Sequence, residues 1–351
     1  MKHPTLTPPA RTTRRSLLAG AASSAALFSG CSAAQQAGAA LQTAPFTPPS
    51  GPSPVERHGR LRAEGARILD QHGAPVTLRG MSLFWSQWMG QFYNAEAVRW
   101  LRQDWGVNVI RAAIAPYPGG WVDNPEREMA KADAVIQAAI GLGIYVVVDW
   151  HAHGPAPEQA AQFFTEIASR YGEHPHIIYE PYNEPLNTHD WAGVVKPFHQ
   201  RVNAAIRAHD ERNLIVAGSP TWSQDIDIAA ADPLDDPNLA YTLHFYAGSH
   251  GQSLRQKARR AMDLGKALFV TEYGVVNANG NGPIDLAETQ RWWDFMEERH
   301  ISHLCWSIAD KDESSAALRP GASGTGGWPD DMLSPSGLLL RDRIRAMNAG
   351  Q

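Results

Sequence analysis

Glu184 and Glu272 are the two side chains whose type and placement carry the most chemistry. Glu184 lies within Tyr-Glu-Pro-Tyr-Asn-Glu-Pro (179–185), and Glu272 within Val-Thr-Glu-Tyr-Gly (270–274), 88 positions later. A carboxyl group can protonate a departing oxygen, and a second can meet the positive charge that develops on carbon as the bond breaks. That pair of roles is what cleavage of a glycosidic bond requires. Arg111 would keep a nearby carboxylate ionised, and Tyr246 could donate a hydrogen bond to the same group. The acid needs the opposite setting, protonated near working pH and free of a tight cation partner. Asn183, beside Glu184, could bond a sugar 2-hydroxyl.

These groups need a scaffold that aims them at one point. Short β-branched runs recur along the chain at 76–82, 107–115, 144–149, 177–181, 214–217, 239–245, 267–272 and 302–307. Helical apolar spacing lies between most of them, as in 130–142 and 191–209. Strict alternation of strand and helix implies a parallel sheet, and eight units in under 300 residues imply closure. The expected fold is α/β, a single (β/α)8 TIM barrel over residues 59–347. Arg60 to Val76 reads as a small hairpin around Asp70-Gln71-His72-Gly73 that precedes the barrel. A doubly wound sheet would carry a Gly-rich phosphate turn after an early strand, and the sequence has none.

A barrel places chemistry at the carboxyl ends of its strands. Read in order, those ends give Trp85 and Trp88, Arg111, Asp149-Trp150-His151, Asn183-Glu184, Trp222, His244 and Tyr246, Glu272, and Trp306. Glu184 and Glu272 fall on the fourth and seventh strands, three units of roughly 30 residues apart, so they would face each other across the mouth. Twelve Trp in 351 residues is a surplus suited to stacking on sugar rings as well as to core packing. Two other readings compete. His151-Ala152-His153 with His244 and Asp310 could be drawn as a hydrolytic zinc site, but two histidines after a strand are a weak signal. A non-catalytic sugar binder would be expected to have lost one carboxylate, and both are present.

Composition sets the remaining bounds. A net charge of −5 offers no basic field for a nucleic-acid backbone. Residues 1–34 read as an export signal: Arg14-Arg15 resembles a twin-arginine motif of bacterial type, and the run from Ala19 to Gly30 is too short to span a membrane. Ser29-Gly30-Cys31 resembles a lipobox that would make Cys31 a lipid anchor, while Ser32-Ala33-Ala34 offers an ordinary cleavage site. Residues 35–58 read as a Pro- and Ala-rich linker. The expected product is an exported protein, periplasmic, outer-membrane-anchored or secreted, and a monomer. Cys305, the one other cysteine, reads as a small buried strand residue.

Several stretches together resemble glycoside hydrolase family 5. They are Arg111, Asp149-Trp150-His151, Asn183-Glu184-Pro185, His244-Phe245-Tyr246 and Thr271-Glu272-Tyr273-Gly274. Gly80 to Ser86, His244 to Gly248 and Lys311 to Leu318 narrow the likeness to the bacterial endoglucanases of subfamily 2, over roughly Leu61 to Arg345. The resemblance implies hydrolysis of internal β-1,4 bonds in cellulose or another unbranched β-glucan, with retention and without cofactor or metal. It makes Glu184 the acid/base and Glu272 the nucleophile, with Arg111, His151, Asn183, His244 and Tyr246 completing the cleavage subsite. Trp306 would be the sugar platform there, Trp88, Lys311 and Glu313 would hold sugars on the non-reducing side, and Trp222 one beyond the cut. Two positions depart from the pattern: Phe84 replaces a cleft His found in many relatives, and Tyr273 follows the nucleophile where Trp is common. Mannan and xylan are the competing substrates within the class.

Overall fold

The structure, a computed structural model, describes residues 51–349. A two-stranded antiparallel hairpin, β1 (Arg62–Glu64) and β2 (Arg67–Leu69), comes first. Eight strands follow: β3 (Arg79–Leu83), β4 (Val109–Ile114), β5 (Tyr145–Trp150), β6 (Ile177–Glu180), β7 (Leu214–Ala217), β8 (Leu239–Tyr246), β9 (Leu268–Gly274) and β10 (Ser302–Ile308). They pair in parallel in sequence order, and β10 returns to β3, so the sheet is a closed barrel with no free edge. This is the expected (β/α)8 architecture.

The outer helices carry local signals that fix where they start. Pro125–Leu142 has Pro at its first turn, Asn124 accepting from the Arg127 amide, and a left-handed Gly143 at its end. Asp285 caps Leu286–Glu298 and Ser334 caps Pro335–Asn348 in the same way.

The barrel interior grades from apolar to charged along the strands. Val109, Tyr145, Val147, Ile178, Leu214, Val216, Phe269 and Leu304 form the inner core at the amino-terminal end, whereas Ile110, Val146, Val148 and Tyr179 pack outward against the helices. Side chains alternate faces along a strand, so the next inward positions are Arg111 after Val109, Asp149 after Val147, and Glu180 after Ile178. Each fully buried Val, Leu or Ile below them contributes about 1.5–3 kcal/mol. The polar layer above stands on that floor.

One expectation at the amino terminus is corrected. Residues 54–58, expected to be linker, form the helix Pro54–His58 with a capping box between Ser53 and Glu56, and Val55 is buried, its amide donating to Gly143 O at 3.0 Å. The folded part therefore begins before position 59; the Pro and Ser that suggested a tether are the first-turn proline and the cap. The expected turn at Asp70–Gly73 forms, with Leu69 bridged antiparallel to Pro75, Val76 N donating to Ile68 O at 3.0 Å and Asp70 Oδ1 accepting from the His72 and Ala74 amides, and the β1–β2 ladder adds a further turn at Gly65. The expected signal segment 1–34, with Cys31, and the linker up to residue 50 lie outside the described residues. Among those described, no helix is long and apolar enough to cross a membrane.

Candidate active site

Arg111 is the hub of the carboxyl end of the barrel. Its fully buried guanidinium meets Glu180 Oε2 at 2.7 Å, Asp149 Oδ2 at 2.9 Å and Glu272 Oε2 at 3.1 Å, and donates to Asn183 Oδ1 at 2.5 Å. Five donors in a rigid fork let one cation fix three carboxylates at once. Glu272, on β9, takes its other oxygen's bond from Tyr246 OH at 2.8 Å. Gly274 makes that bond accessible: a methyl on it would sit 2.5 Å from Tyr246 Cε1, so only glycine lets the ring lie flat against β9.

Glu184 lies four residues beyond the end of β6 instead of at its last position, because Pro181 ends the ladder and the chain turns inward. Its Oε1 meets His244 Nδ1 at 3.0 Å and its Oε2 meets His153 Nε2 at 3.2 Å. His244 in turn reaches Thr271 Oγ1 at 2.9 Å, and Thr271 donates to Glu180 Oε1 at 2.6 Å. One carboxylate oxygen of Glu184, one of Glu272 and one ring nitrogen of His244 all lie within 4.8 Å of one another. The zinc set considered from the sequence does not form: His151, His153, His244 and Asp310 make no donor cluster among the described residues, and Asp310 instead accepts from Gln91 at 3.0 Å.

His151 bonds Asp149 Oδ2 at 2.7 Å and stacks on Trp306, with centroids 4.9 Å apart and planes 7° off parallel. Asn183 is buried and its Nδ2 has no partner among the described residues. Phe84 joins Trp306 (5.1 Å) to Trp88 (6.2 Å), and the Lys311 ammonium sits 4.7 Å over the Phe84 ring while meeting Glu313 at 2.7 Å. Trp88 is 62% exposed and Trp222 37%. Trp222 belongs to three successive left-handed residues, Thr221, Trp222 and Ser223, with φ of 57°, 55° and 58°. That backbone costs about 1–2 kcal/mol per residue, and is held by Trp222 N to Pro185 O (2.9 Å) and Ser223 Oγ to Asn183 O (2.7 Å). The strain ties the indole to the segment that carries Glu184. The predicted site residues fall in three groups, whereas Trp150, also expected at the mouth, packs outward against Trp121 and Phe163. Arg111, His151, Asn183, Glu184, His244, Tyr246, Glu272 and Trp306 converge, Trp88, Lys311 and Glu313 gather round Phe84, and Trp222 sits beside Pro185.

Sequence reasoning missed the roles of Glu180 and His153. Glu180 was recoverable, being two positions after an inward Ile on a strand; His153 lies in a loop without period.

The electrostatics differ from the expectation that the acid would lack a cation partner. Burial works to raise Glu184, but the bonds from His153 and His244 outweigh it and hold the group down to about 2. Burial, then the Glu184 charge, push Glu272 up against the pull of His244, Arg111 and Tyr246. Burial works to lower His244, but Glu180 and Glu184 bring it up to about 9, so both ring nitrogens donate at neutral pH. His151, lowered by burial and by Arg111, stays neutral. The two glutamates titrate as a pair: a proton on Glu184 removes the charge that raises Glu272 and leaves the latter facing Arg111 and Tyr246.

A closed parallel barrel with two opposed carboxyl groups at the mouth of an aromatic cleft defines a glycoside hydrolase of the TIM-barrel type. The family model for cellulase, glycosyl hydrolase family 5, matches residues 69–312, and the chain belongs to that family. It is 46% identical over 295 residues to an endoglucanase of Clostridium saccharobutylicum, covering 83% of this chain and 66% of that protein. Endoglucanase N of Pectobacterium atrosepticum is 45% identical over 299 residues, covering 84% and 67%. The chain therefore spans about two thirds of the length of these relatives. A substituted catalytic domain of a Thermobifida fusca endoglucanase, solved in complex with cellotetraose, superposes with a TM-score of 0.80 at 33% identity, covering 84% of this chain and all of that one.

Proposed function

We propose that the chain is an endo-1,4-β-glucanase that hydrolyses internal bonds of cellulose or a related unbranched β-glucan with retention of configuration. The observation that carries this reading is the approach of the Glu184 and Glu272 oxygens to within 4.8 Å. Retaining enzymes hold their carboxyl groups about 5–5.5 Å apart, whereas inverting ones leave room for a water at 6.5–9.5 Å. Glu272 attacks the anomeric carbon while Glu184 protonates the glycosidic oxygen; Glu184 then takes a proton from water, which releases the sugar from Glu272. Arg111 and Tyr246 hold Glu272 in line for attack. Asn183 Nδ2, without a partner among the described residues, would meet the sugar 2-hydroxyl, a contact that strengthens as charge develops. Trp306 supports the ring at the cleavage point, Trp88, Lys311 and Glu313 grip sugars on one side, and the exposed Trp222 takes one beyond the cut. The endoglucanase names of the relatives and the cellotetraose seen on the T. fusca domain support a glucan over mannan or xylan.

The test pairs two readouts. Products from a defined cello-oligosaccharide should appear first as the β anomer, and Glu272→Ala should be inactive until azide is added, then yield the α-glycosyl azide. Initial α product, or an uninhibited Glu272→Ala, refutes the assignment. Parallel digestion of manno- and xylo-oligosaccharides should give markedly slower turnover; faster cleavage of either overturns the glucan preference. Residues 1–34 are read as an export signal and Cys31 as a lipid anchor; retention of Cys31→Ala in the membrane fraction would eliminate the anchor.

A further inference from the structure

The loop after β5 contributes a side chain for which the two-step mechanism has no use. His153 Nε2 lies 3.2 Å from Glu184 Oε2, and His244 Nδ1 lies 3.0 Å from Oε1, so both oxygens of the acid are occupied by imidazoles. A glycosidic oxygen must approach one of these two oxygens, where an imidazole already sits, so it competes with that imidazole for the contact. The two imidazoles differ sharply in freedom. His244 has a side-chain exposure of 1%, and its second nitrogen is bound to Thr271 Oγ1 at 2.9 Å. His153 has a side-chain exposure of 38%, with its ring edge-on to Trp85 at 5.4 Å. Its backbone is held: its amide and that of Gly154 donate to Tyr117 OH at 2.5 and 3.0 Å, and its carbonyl accepts from Tyr182 OH at 3.3 Å. The loop is fixed while the ring can swing.

We propose that His153 is a positioning residue that holds Oε2 of Glu184 in the empty cleft and is displaced by the glycosidic oxygen of an incoming glucan, so that Glu184 becomes a proton donor only on the loaded enzyme. This rests on Glu184 being the acid. The ionisable groups that face the contact are His244 and Tyr246 from β8, Glu272 from β9, His250 beyond β8, His151 from the same loop, and the phenols of Tyr117 and Tyr182. Of the two imidazoles that touch Glu184, only His153 is open enough to leave. One of the two contacts that lower Glu184 in the empty site is thus one that substrate can remove, and its loss strengthens the hold of Glu184 on a proton.

The experiment compares wild type, His153→Ala and His153→Gln on cellotetraose across pH. The profile of kcat/KM reports free enzyme and that of kcat the loaded one. Losing His153 should move the kcat/KM profile to higher pH by about 0.5–1 unit and leave the kcat profile in place. The Gln variant, which keeps an N–H donor at that position, should fall between. An unmoved kcat/KM profile, or equal shifts of both profiles, overturns the proposal. A second measurement needs no His153 variant: in Glu272→Gln labelled with 15N-histidine, cellotetraose should shift the His153 Nε2 resonance, and a resonance that stays put refutes displacement. Glu184→Ala run alongside separates the two readings. If it cleaves cellotetraose at the wild-type rate without azide, the acid assignment fails; if it does not and the His153 tests fail, only the displacement does.

Discussion

Gly274→Ala tests whether the contact between Tyr246 and Glu272 matters through its hydrogen bond. The added methyl would lie 2.5 Å from Tyr246 Cε1 and closer still to Cδ1. Ordinary carbon contact is about 3.5–4.0 Å, so the ring must retreat by about 1 Å. Tyr246 OH stands 2.8 Å from Glu272 Oε1, and a shift of that size takes the pair out of hydrogen-bond range. A hydrogen bond to a charged group contributes about 1.5–3 kcal/mol, which converts to a fall in kcat/KM of roughly 10- to 150-fold at about 1.4 kcal/mol per decade. Tyr246→Phe removes the hydroxyl with the ring in place and should cost a similar factor. The double variant decides the mechanism: if Gly274→Ala acts through that hydroxyl, adding it to Tyr246→Phe costs little more. Initial rates on a soluble glucan, with thermal unfolding as a control for the fold, measure all four proteins. Wild-type activity in Gly274→Ala, or losses that multiply in the double variant, would refute the reasoning.

Three further outcomes follow from the same geometry. Glu180→Leu removes one anion from Arg111 and one from His244 and should destabilise the fold by about 3–5 kcal/mol, read by denaturant unfolding; a loss below about 1 kcal/mol would show that the network does not need it. His244 is raised from 6.5 to about 9, so its stabilisation is complete below pH 6.5 and is lost as pH rises through 9; melting midpoints should fall over that window in wild type and more weakly in His244→Asn. A chain starting at residue 59 loses Val55 and its amide bond to Gly143, and should be less stable by on the order of 2 kcal/mol than one starting at residue 51, with equal melting curves as the contrary result.

The barrel was legible because buried parallel strands leave dense β-branched runs, as in Tyr145–Trp150, that cannot be mistaken for surface. The meeting of Glu184 and Glu272 was legible because strand order alone puts the fourth and seventh strands on different sides of one mouth, three steps apart round the ring. What escaped lies where the chain leaves its periodic elements. Placing Glu184 at the end of its strand was off by four residues, since Pro181 interrupts the ladder and the true strand-end carboxylate is Glu180. The helix Pro54–His58 was hidden by composition, although Ser53 and Glu56 spell its cap. The left-handed run at Thr221–Ser223 leaves no trace in sequence, because none of its residues is a glycine and tertiary contacts impose it. His153 could be seen as a histidine near the mouth, but no rule of spacing sets which carboxylate a loop side chain will touch.

The sharing of Arg111 among three carboxylates has a chemical logic that a simple ion pair would lack. A lone guanidinium bound to Glu272 would keep it charged, but would also lower its nucleophilicity by stabilising that charge. Asp149 and Glu180 each hold a nitrogen of the same fork, at 2.9 and 2.7 Å, closer than Glu272 at 3.1 Å. Both are fully buried, whereas Glu272 retains 6% exposure and Glu184 14%. Burial raises Asp149 well above the usual carboxylate range, whereas Glu180 is held below it, so Glu180 is the interior anion that takes up much of the cation's field, and the longest of the three contacts goes to Glu272, the proposed nucleophile. Tyr246 adds a neutral donor, which orients the second oxygen without adding charge. Glu180 is used twice, since through Thr271 and His244 it also reaches Glu184, the proposed acid. One buried carboxylate thus links the surroundings of both reacting groups, and the inward positions of β4, β5 and β6 that supply this layer are set by the same two-residue alternation that builds the apolar core beneath it.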